Sequence, residues 1–240
     1  MRKIVFFLLG ILASIHSSAE TDYQLWQAYV QQARVSNKAG YWVDINFRTR
    51  NHFADNFNTM LFRVGGTYFV KDNVRLTAGY VYAMHFSSLE DQSFYKQEHR
   101  PWLNIQYVQN VSRYKFQTAL RLEERFIQKS KGAKILEGHE SRTRVRLSAG
   151  ISVQLNKKKL PIGNILFVLN EEAMINAHST DNAKIFDQNR AFCGFGFQIA
   201  EPFQLQLGYM HLYLATTKGY DHVHAIRVNF IHNLDFRKKK

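Results

Sequence analysis

The sequence has little that would support a disulfide framework, a helical membrane anchor or a familiar catalytic motif. It contains one cysteine, Cys193, and three prolines among 240 residues. An internal disulfide is therefore impossible, and few extended segments are interrupted by proline. No run of about 18 apolar residues follows the N-terminal region, which excludes a later transmembrane helix. Glycine-rich phosphate loops, cysteine clusters and serine-centred elbows are also missing from the sequence.

The N-terminal region has the composition of a secretory signal peptide. Arg2 and Lys3 precede an apolar run from Ile4 to Ile15, and the small residues Ser17-Ser18-Ala19 follow it. This order is typical of an export signal with its cleavage site. The apolar run is too short for the ~20 residues that a membrane-anchoring helix needs. We expect residues 1–19 to be the signal peptide and residues 20–240 to form one domain.

Acidic residues are scarce relative to basic ones. There are 19 Asp and Glu against 32 Lys and Arg, which gives a formal net charge of +13. Such a balance in a cytoplasmic protein would favour a nucleic-acid partner. Export argues against that partner, and the arginines occur singly at alternate positions rather than in one solvated patch. We therefore expect no nucleic acid to bind.

Long alternating segments dominate the remaining sequence. The segment Arg142–Leu155 alternates basic or small residues with apolar ones. Its length exceeds the 5–6 residues of a typical soluble strand and suffices for the ~9–11 that a tilted transmembrane strand needs. The same pattern predicts eleven strands, at Tyr23–Val35, Tyr41–Arg50, Asn58–Val70, Val74–Phe86, Glu98–Gln109, Tyr114–Phe126, Arg142–Leu155, Ile165–Asn176, Phe186–Ile199, Phe203–Tyr213 and His222–Phe236.

These strands predict an antiparallel up-and-down transmembrane β-barrel of 10–12 strands in the outer membrane. Only helices and closed barrels pair every backbone group within lipid. Because bacterial single-chain barrels have an even number of strands, we expect the eleven to become ten or twelve. Short turns should face the periplasm. The longer segments Ser87–Gln97, Ile127–Glu140 and Ala177–Ile185 should then be loops at the cell surface.

On each strand, the alternate positions that contain charged residues should face the barrel interior. An arginine on the lipid face costs about 2–4 kcal/mol at the bilayer midplane, so many of them there would exceed the stability of the fold. A soluble lipocalin-like barrel with the faces reversed fits the strand lengths poorly. We expect a charge network in the lumen formed by Arg48, Arg63, Glu98, Arg100, Arg121, Glu123, Arg125, Arg142, Arg144, Arg146, Glu172, Arg190 and Arg227.

Several short pieces of the sequence, taken in order, resemble a known family. They are Trp26, Glu98–Trp102, Arg121–Phe126, Arg142-Thr143-Arg144, Glu172 with Asn176, and Phe186–Arg190. This order is similar to the DUF2490 family of exported proteins from Gram-negative bacteria. The resemblance implies an outer-membrane barrel without assigned catalytic or ligand residues. The chain departs from the usual barrel terminus because Arg237–Lys240 follows the terminal aromatic residue Phe236.

Two classes of function remain open. A non-enzymatic barrel would be structural or a narrow solute channel with an Arg/Glu-rich lumen. The alternative is an enzyme that modifies lipid or lipopolysaccharide, for which His85, Ser87 and Glu98 are the nearest candidates for a base, a nucleophile and a third group. His222 and His224 share a strand face, but two histidines make a weak metal site.

Partners and cofactors follow from the expected location. We expect contacts with outer-membrane lipid, with lipopolysaccharide through Lys129, Lys131 and Lys134, and with the barrel-assembly machinery. We expect a monomer that needs no cofactor and no metal.

Overall fold

A computed structural model describes residues 21–53, 56–89, 92–156, 162–181, 183–216 and 219–237, with the backbone alone at 88, 89, 92 and 93. The signal peptide expected at 1–19 and the basic tail at 238–240 lie outside these residues. No helix within these ranges combines the length and the apolar composition that a membrane span requires.

Eleven strands account for most of the described chain. Their bounds are β1 Thr21–Arg34, β2 Ala39–Arg50, β3 Asn56–Lys71, β4 Val74–Leu89, β5 Gln92–Val111, β6 Tyr114–Lys131, β7 Lys134–Gln154, β8 Ile165–Ser179, β9 Phe186–Gln198, β10 Phe203–Ala215 and β11 Tyr220–Asp235.

The strands form one closed barrel, so the predicted fold class is confirmed. Each strand pairs antiparallel with the next one in the chain, and β11 pairs with β1 to close the wall. Eleven strands joined by hairpins leave the first and last running in the same direction. The closing pair is therefore parallel, from Thr21 opposite His222 to Arg34 opposite Asp235. The expectation that eleven strands would become ten or twelve was wrong.

The two ends of the barrel differ. The turn end contains the connections at 35–38, 72–73, 112–113 and 199–202 and the connection from β7 to β8, and β11 finishes there. The loop end contains the remaining connections and the start of β1. Two predicted loops at this end are instead strand, because β4 continues to Leu89 and β6 to Lys131. These hairpins stay paired beyond the apolar belt, and rings such as Phe86 and Tyr95 pack across them at 5.8 Å.

The two faces of the wall have opposite chemistry. Large apolar side chains project outward, among them Val64 and Leu103, which are 53% and 59% exposed. Such an outward belt is characteristic of transmembrane barrels. The arginines within the strands and most amide side chains project inward, with two small apolar clusters around Trp26 and Trp102. The reversed, lipocalin-like arrangement is therefore wrong.

Candidate functional site

A cluster around Glu98 occupies the loop-side half of the lumen. The Glu98 side chain is 0% exposed. Its Oε1 accepts hydrogen bonds from Arg100 Nε at 2.8 Å and Arg125 Nε at 2.7 Å. His85 Nε2 lies 2.7 Å from the other carboxylate oxygen. Because charge-assisted hydrogen bonds are stronger than neutral ones, this carboxylate ties β4, β5 and β6 together across the interior.

A second cluster surrounds Glu123, which is 1% exposed. Its carboxylate accepts hydrogen bonds from Arg144 Nε at 2.7 Å and Arg146 Nη2 at 3.1 Å. Guanidinium nitrogens of Arg121 and Arg100 lie 3.8 and 3.9 Å away. One buried carboxylate on β6 is thus shared by four arginines from β5, β6 and β7.

Asp187 joins these clusters through an irregularity in β9. The β8–β9 register shifts so that Met174 faces Gln188 and Ile175 faces Phe186. The extra residue, Asp187, therefore projects into the lumen, where its carboxylate accepts a bond from Arg144 Nη1 at 2.9 Å. Simple alternation places this residue on the outer face, so the sequence pattern missed it.

The turn-side half of the lumen contains arginines with fewer acidic partners. Glu172 lies 3.6 Å from Arg146 and 3.5 Å from Arg190. Arg63 lies 3.2 Å from Asp44, a buried carboxylate of β2 that the sequence prediction omitted although it shares the parity of Arg48. Arg48 stacks on the Trp26 ring at 3.7 Å and meets no carboxylate among the described residues.

Two other predicted members of the network behave differently. Arg227 donates to the Asn229 amide at 3.3 Å and lies 5.3 Å above the Phe192 ring. Arg142 lies apart from both clusters, because its guanidinium binds Asp181 in the loop after β8, with Nε 2.9 Å from Oδ2. Partial burial would raise the pKa of Asp181, but the hydrogen bonds from Arg142 and Ser179 outweigh burial and hold that pKa at about 2.

Two cavities in the described part of the lumen meet at a ring of arginines. The turn-side cavity has a volume of about 510 Å³ and the loop-side cavity about 200 Å³. Both are lined by Trp26 and by Arg48, Arg63, Arg146 and Arg190, which we call the arginine girdle. Buried Nε atoms of three girdle members, Arg48, Arg63 and Arg146, have no hydrogen-bond partner among the described residues. The girdle therefore presents unpaired donors to the space at mid-barrel.

Comparison with known families places the chain. The family model described as "Protein of unknown function (DUF2490)" matches residues 23–223. The chain belongs to the DUF2490 family. The match begins in β1 and ends within β11, so it covers the clusters and the girdle together.

Comparison with solved structures found a similarity between the DUF2490 chain and the β-domain of the Bordetella autotransporter BrkA. The identity is 9%, the alignment covers 81% of this chain and 82% of that chain, and the TM-score is 0.49. No curated protein matches the sequence.

The candidate enzyme residues of the DUF2490 chain do not form a catalytic arrangement. His85 faces the lumen, with Nε2 at Glu98 and Nδ1 3.3 Å from Thr59 Oγ1. Both ring nitrogens are thus engaged, and no hydrogen bond joins His85 to Ser87 in the described part of the chain. A serine nucleophile needs its base within about 3 Å. This geometry gives no support to a hydrolase at this position.

The histidines of β11 lie on the outer wall rather than in the lumen. His222 Nδ1 lies 3.0 Å from His211 Nε2 on β10, and His224 Nδ1 lies 2.5 Å from the Tyr209 hydroxyl. The described residues include no group of three or more potential ligands placed to hold a metal ion. His211 was missing from the sequence prediction because its neighbour depends on the β10–β11 register.

Proposed function

We propose that this chain is a narrow outer-membrane pathway for small anionic solutes. The observation that carries the proposal is the arginine girdle, which lines both cavities and therefore lies between them. Rings of arginine or lysine side chains give anion selectivity in pores, because they lower the energy of an anion at the constriction.

The charge balance of the turn-side cavity supports an anionic occupant. Three carboxylates line it, Asp44, Asp72 and Glu172, against eight basic side chains. Buried donors left without partners cost about 1–3 kcal/mol each, so the girdle favours water or an anion beside it. The eight basic residues are Arg48, Arg63, Arg75, Lys115, Arg121, Arg146, Arg190 and Arg227.

The remaining lining indicates the kind of anion. Amide side chains both donate and accept hydrogen bonds, which suits a solute with several hydroxyl groups. Trp26 and Trp42 add flat apolar surfaces beside them. A small hydroxylated organic anion, such as a sugar acid, combines these properties. The amides of the turn-side cavity are Gln32, Asn46, Asn73, Asn104, Gln106, Gln117, Asn170, Gln204, Gln206, Asn229 and Asn233.

Planar-bilayer recording tests this function. Purified protein in a KCl gradient should conduct, with a reversal potential that reports preference for chloride. The double variant Arg48→Gln/Arg190→Gln removes two girdle charges and should lower the anion-to-cation permeability ratio several-fold. Arg113→Gln, the same change at an exposed turn residue, is the matched control and should leave the ratio unchanged.

A solute comparison refines the measurement. Glucuronate should reduce the chloride current or carry current itself, whereas glucose, which has similar hydroxyls and no charge, should do neither. Protein that folds but conducts no better than a bare bilayer would contradict the pathway. Such a result would favour a purely structural role for the charge network.

Outer-membrane location and lipid partners belong to the same proposal. Lys129, Lys131 and Lys134 are exposed at the tip of the β6–β7 hairpin, where lipopolysaccharide phosphates would be accessible to them. Phe236 follows β11 at the turn end and suits recognition by the barrel-assembly machinery. The native protein should fractionate with the outer membrane and migrate faster on gels before heating than after. Release as a soluble periplasmic protein would contradict this location.

A further inference from the structure

The outward belt is interrupted by a carboxylate in the middle of β8. Glu171 is flanked on the outer face by Leu169 and Ala173, well inside a strand that runs from Ile165 to Ser179. Its Oε1 accepts a hydrogen bond from Asn189 Nδ2 on β9. Ionisable side chains that face lipid are costly and mark functional positions, usually beside a polar partner. Among the described residues, this amide is the one hydrogen-bond partner of the Glu171 side chain.

A base lies on the same face, two strands away. Glu171 is opposite Ala191 on β9, and Ala191 is opposite His211 on β10. His211 Nε2 is engaged with His222, whereas its Nδ1 has no hydrogen bond within the described part of the chain. The second carboxylate oxygen of Glu171 likewise has none there. A carboxylate oxygen of Glu171 and Nδ1 of His211, both without a hydrogen bond among the described residues, therefore lie on either side of Ala191.

Small side chains lie on three sides of Glu171. Ala149, Ala173, Ala191 and Cys193 occupy the outward positions of β7, β8 and β9 nearest to Glu171, where most of the belt has Leu, Phe or Tyr. Small residues allow two membrane-spanning surfaces to approach closely, and polar side chains among them form hydrogen bonds across the contact. We call the wall formed by Glu171, Asn189, Ala191, Cys193 and His211 the polar seam.

We propose that two copies of this chain form a dimer through the polar seam, with Glu171 of each copy bound to His211 of the other. A two-fold axis along the membrane normal, passing in front of β9, places β8 of one copy against β10 of its partner. The patch is then self-complementary, because its acid meets the base of the second copy on both sides of the axis. This proposal replaces the monomer expected from the sequence.

The natural cysteine tests this interface without any substitution. Cys193 is exposed, free and close to the proposed axis. A short bismaleimide added to native membranes should convert most of the protein to a covalent dimer. The matched control is Cys193→Ser/Val64→Cys, which moves the thiol to an exposed position near the middle of β3 on the opposite wall. It should give less than a tenth of that product.

A charge exchange identifies the pairing. His211→Glu places the new acid of one copy against Glu171 of the other. In native membranes, it should reduce the yield of the Cys193-crosslinked dimer at least tenfold. The exchange Glu171→His/His211→Glu restores one acid and one base on each side and should recover the dimer. Heat-modifiable gel mobility verifies that each variant is folded before its yield is compared.

Three results would overturn the proposal. Equal crosslinking through position 64 would show random collision, and a wild-type protein that stays monomeric with unlinked Cys193 would show no contact at the seam. Monomeric protein that retains lipopolysaccharide or phospholipid, and loses it in the Glu171→Leu variant, would assign the seam to lipid. The dimer does not depend on conduction, so the bilayer recordings can fail while this crosslink succeeds.

Discussion

Replacing Glu123 by alanine should be the most damaging single change in the lumen. Its carboxylate binds Arg144 and Arg146 directly, and Arg100 and Arg121 lie within 3.9 Å. The substitution removes the shared negative charge while leaving all four guanidinium groups inside the barrel. They would then repel one another in a region with little water.

The expected loss follows from the contacts. Hydrogen bonds to a charged group contribute about 1.5–3 kcal/mol each, and Glu123 accepts its closest ones from two arginines. Removing one partner from a buried ion pair generally costs about 3–5 kcal/mol, since the other charge is left uncompensated. We expect Glu123→Ala to lower the free energy of unfolding by about 3–5 kcal/mol. Glu123→Gln, which preserves the shape and one acceptor, should cost less.

Urea unfolding of the refolded protein in lipid vesicles measures this loss. The three tryptophans, Trp26, Trp42 and Trp102, line or border the lumen and report its opening by fluorescence. The matched control is Glu124→Ala, one residue along β6, whose carboxylate accepts a 2.6 Å bond from Thr143 instead of binding an arginine. A loss below about 1 kcal/mol for Glu123→Ala, or a loss equal to that of the control, would refute the reasoning, because it would mean that water already screens the cluster.

Three smaller changes test other parts of the structure. Gly79→Ala should cost at least about 1–3 kcal/mol and shift the tryptophan emission, because a Cβ there would lie 2.2 Å from the backbone oxygen of Val64 and 2.7 Å from Trp102 Cζ2. Unchanged emission and stability would contradict that packing. Asp181 has its folded-state pKa lowered from 3.8 to about 2, so its bond to Arg142 should persist above pH 4 and be lost as the pH falls towards 2. Amide hydrogen exchange at Thr180, Asp181 and Ala183 should accelerate only in that window. Asp44→Asn removes one carboxylate of the turn-side cavity and should increase anion preference in bilayers, whereas a shift towards cations would oppose the proposed pathway.

The strand pattern predicted the wall of the barrel well, because alternation reports directly which residues face lipid. It failed where lipid no longer decides the composition. The residues of β4 beyond Phe86 and of β6 beyond Phe126 lie outside the belt and alternate poorly, yet backbone pairing continues to Leu89 and Lys131. Hairpin extension depends on cross-strand contacts, and a single strand's composition contains little information about those.

The odd strand count has a similar origin. The segment at Tyr23 has ordinary strand alternation, and the sequence pattern located it correctly. Its parallel pairing with β11 follows from closure of the whole wall, over a sequence separation of about 200 residues. No local signal distinguishes a strand that closes a barrel in parallel from one that lies outside it. The even-number rule therefore led to the wrong count.

The sequence predicts which charged residues face the lumen, but it does not predict which carboxylate binds which arginine. Asp44 has the parity of Arg48, so the alternation of β2 is enough to predict that it faces the lumen. Asp187 faces inward only because of the register shift in β9, and Arg142 pairs with a loop residue rather than with the network. Which carboxylate meets which arginine depends on the relative stagger of the strands, which sequence alternation does not report.

The uneven distribution of charge along the lumen argues that stability alone did not select it. Glu98 and Glu123 compensate the loop-side arginines closely, as a structural plug requires. In the turn-side half, Arg48, Arg75 and Arg227 have no carboxylate partner among the described residues. Arg75 and Arg227 instead donate to the amides of Gln106 and Asn229, where a carboxylate would fit equally well. Exchanging two such amides for carboxylates would relieve the repulsion at little steric cost. Excess positive charge next to a polar cavity is a departure from local consistency of the kind that functional sites show, and it coincides with the space through which an anion would pass.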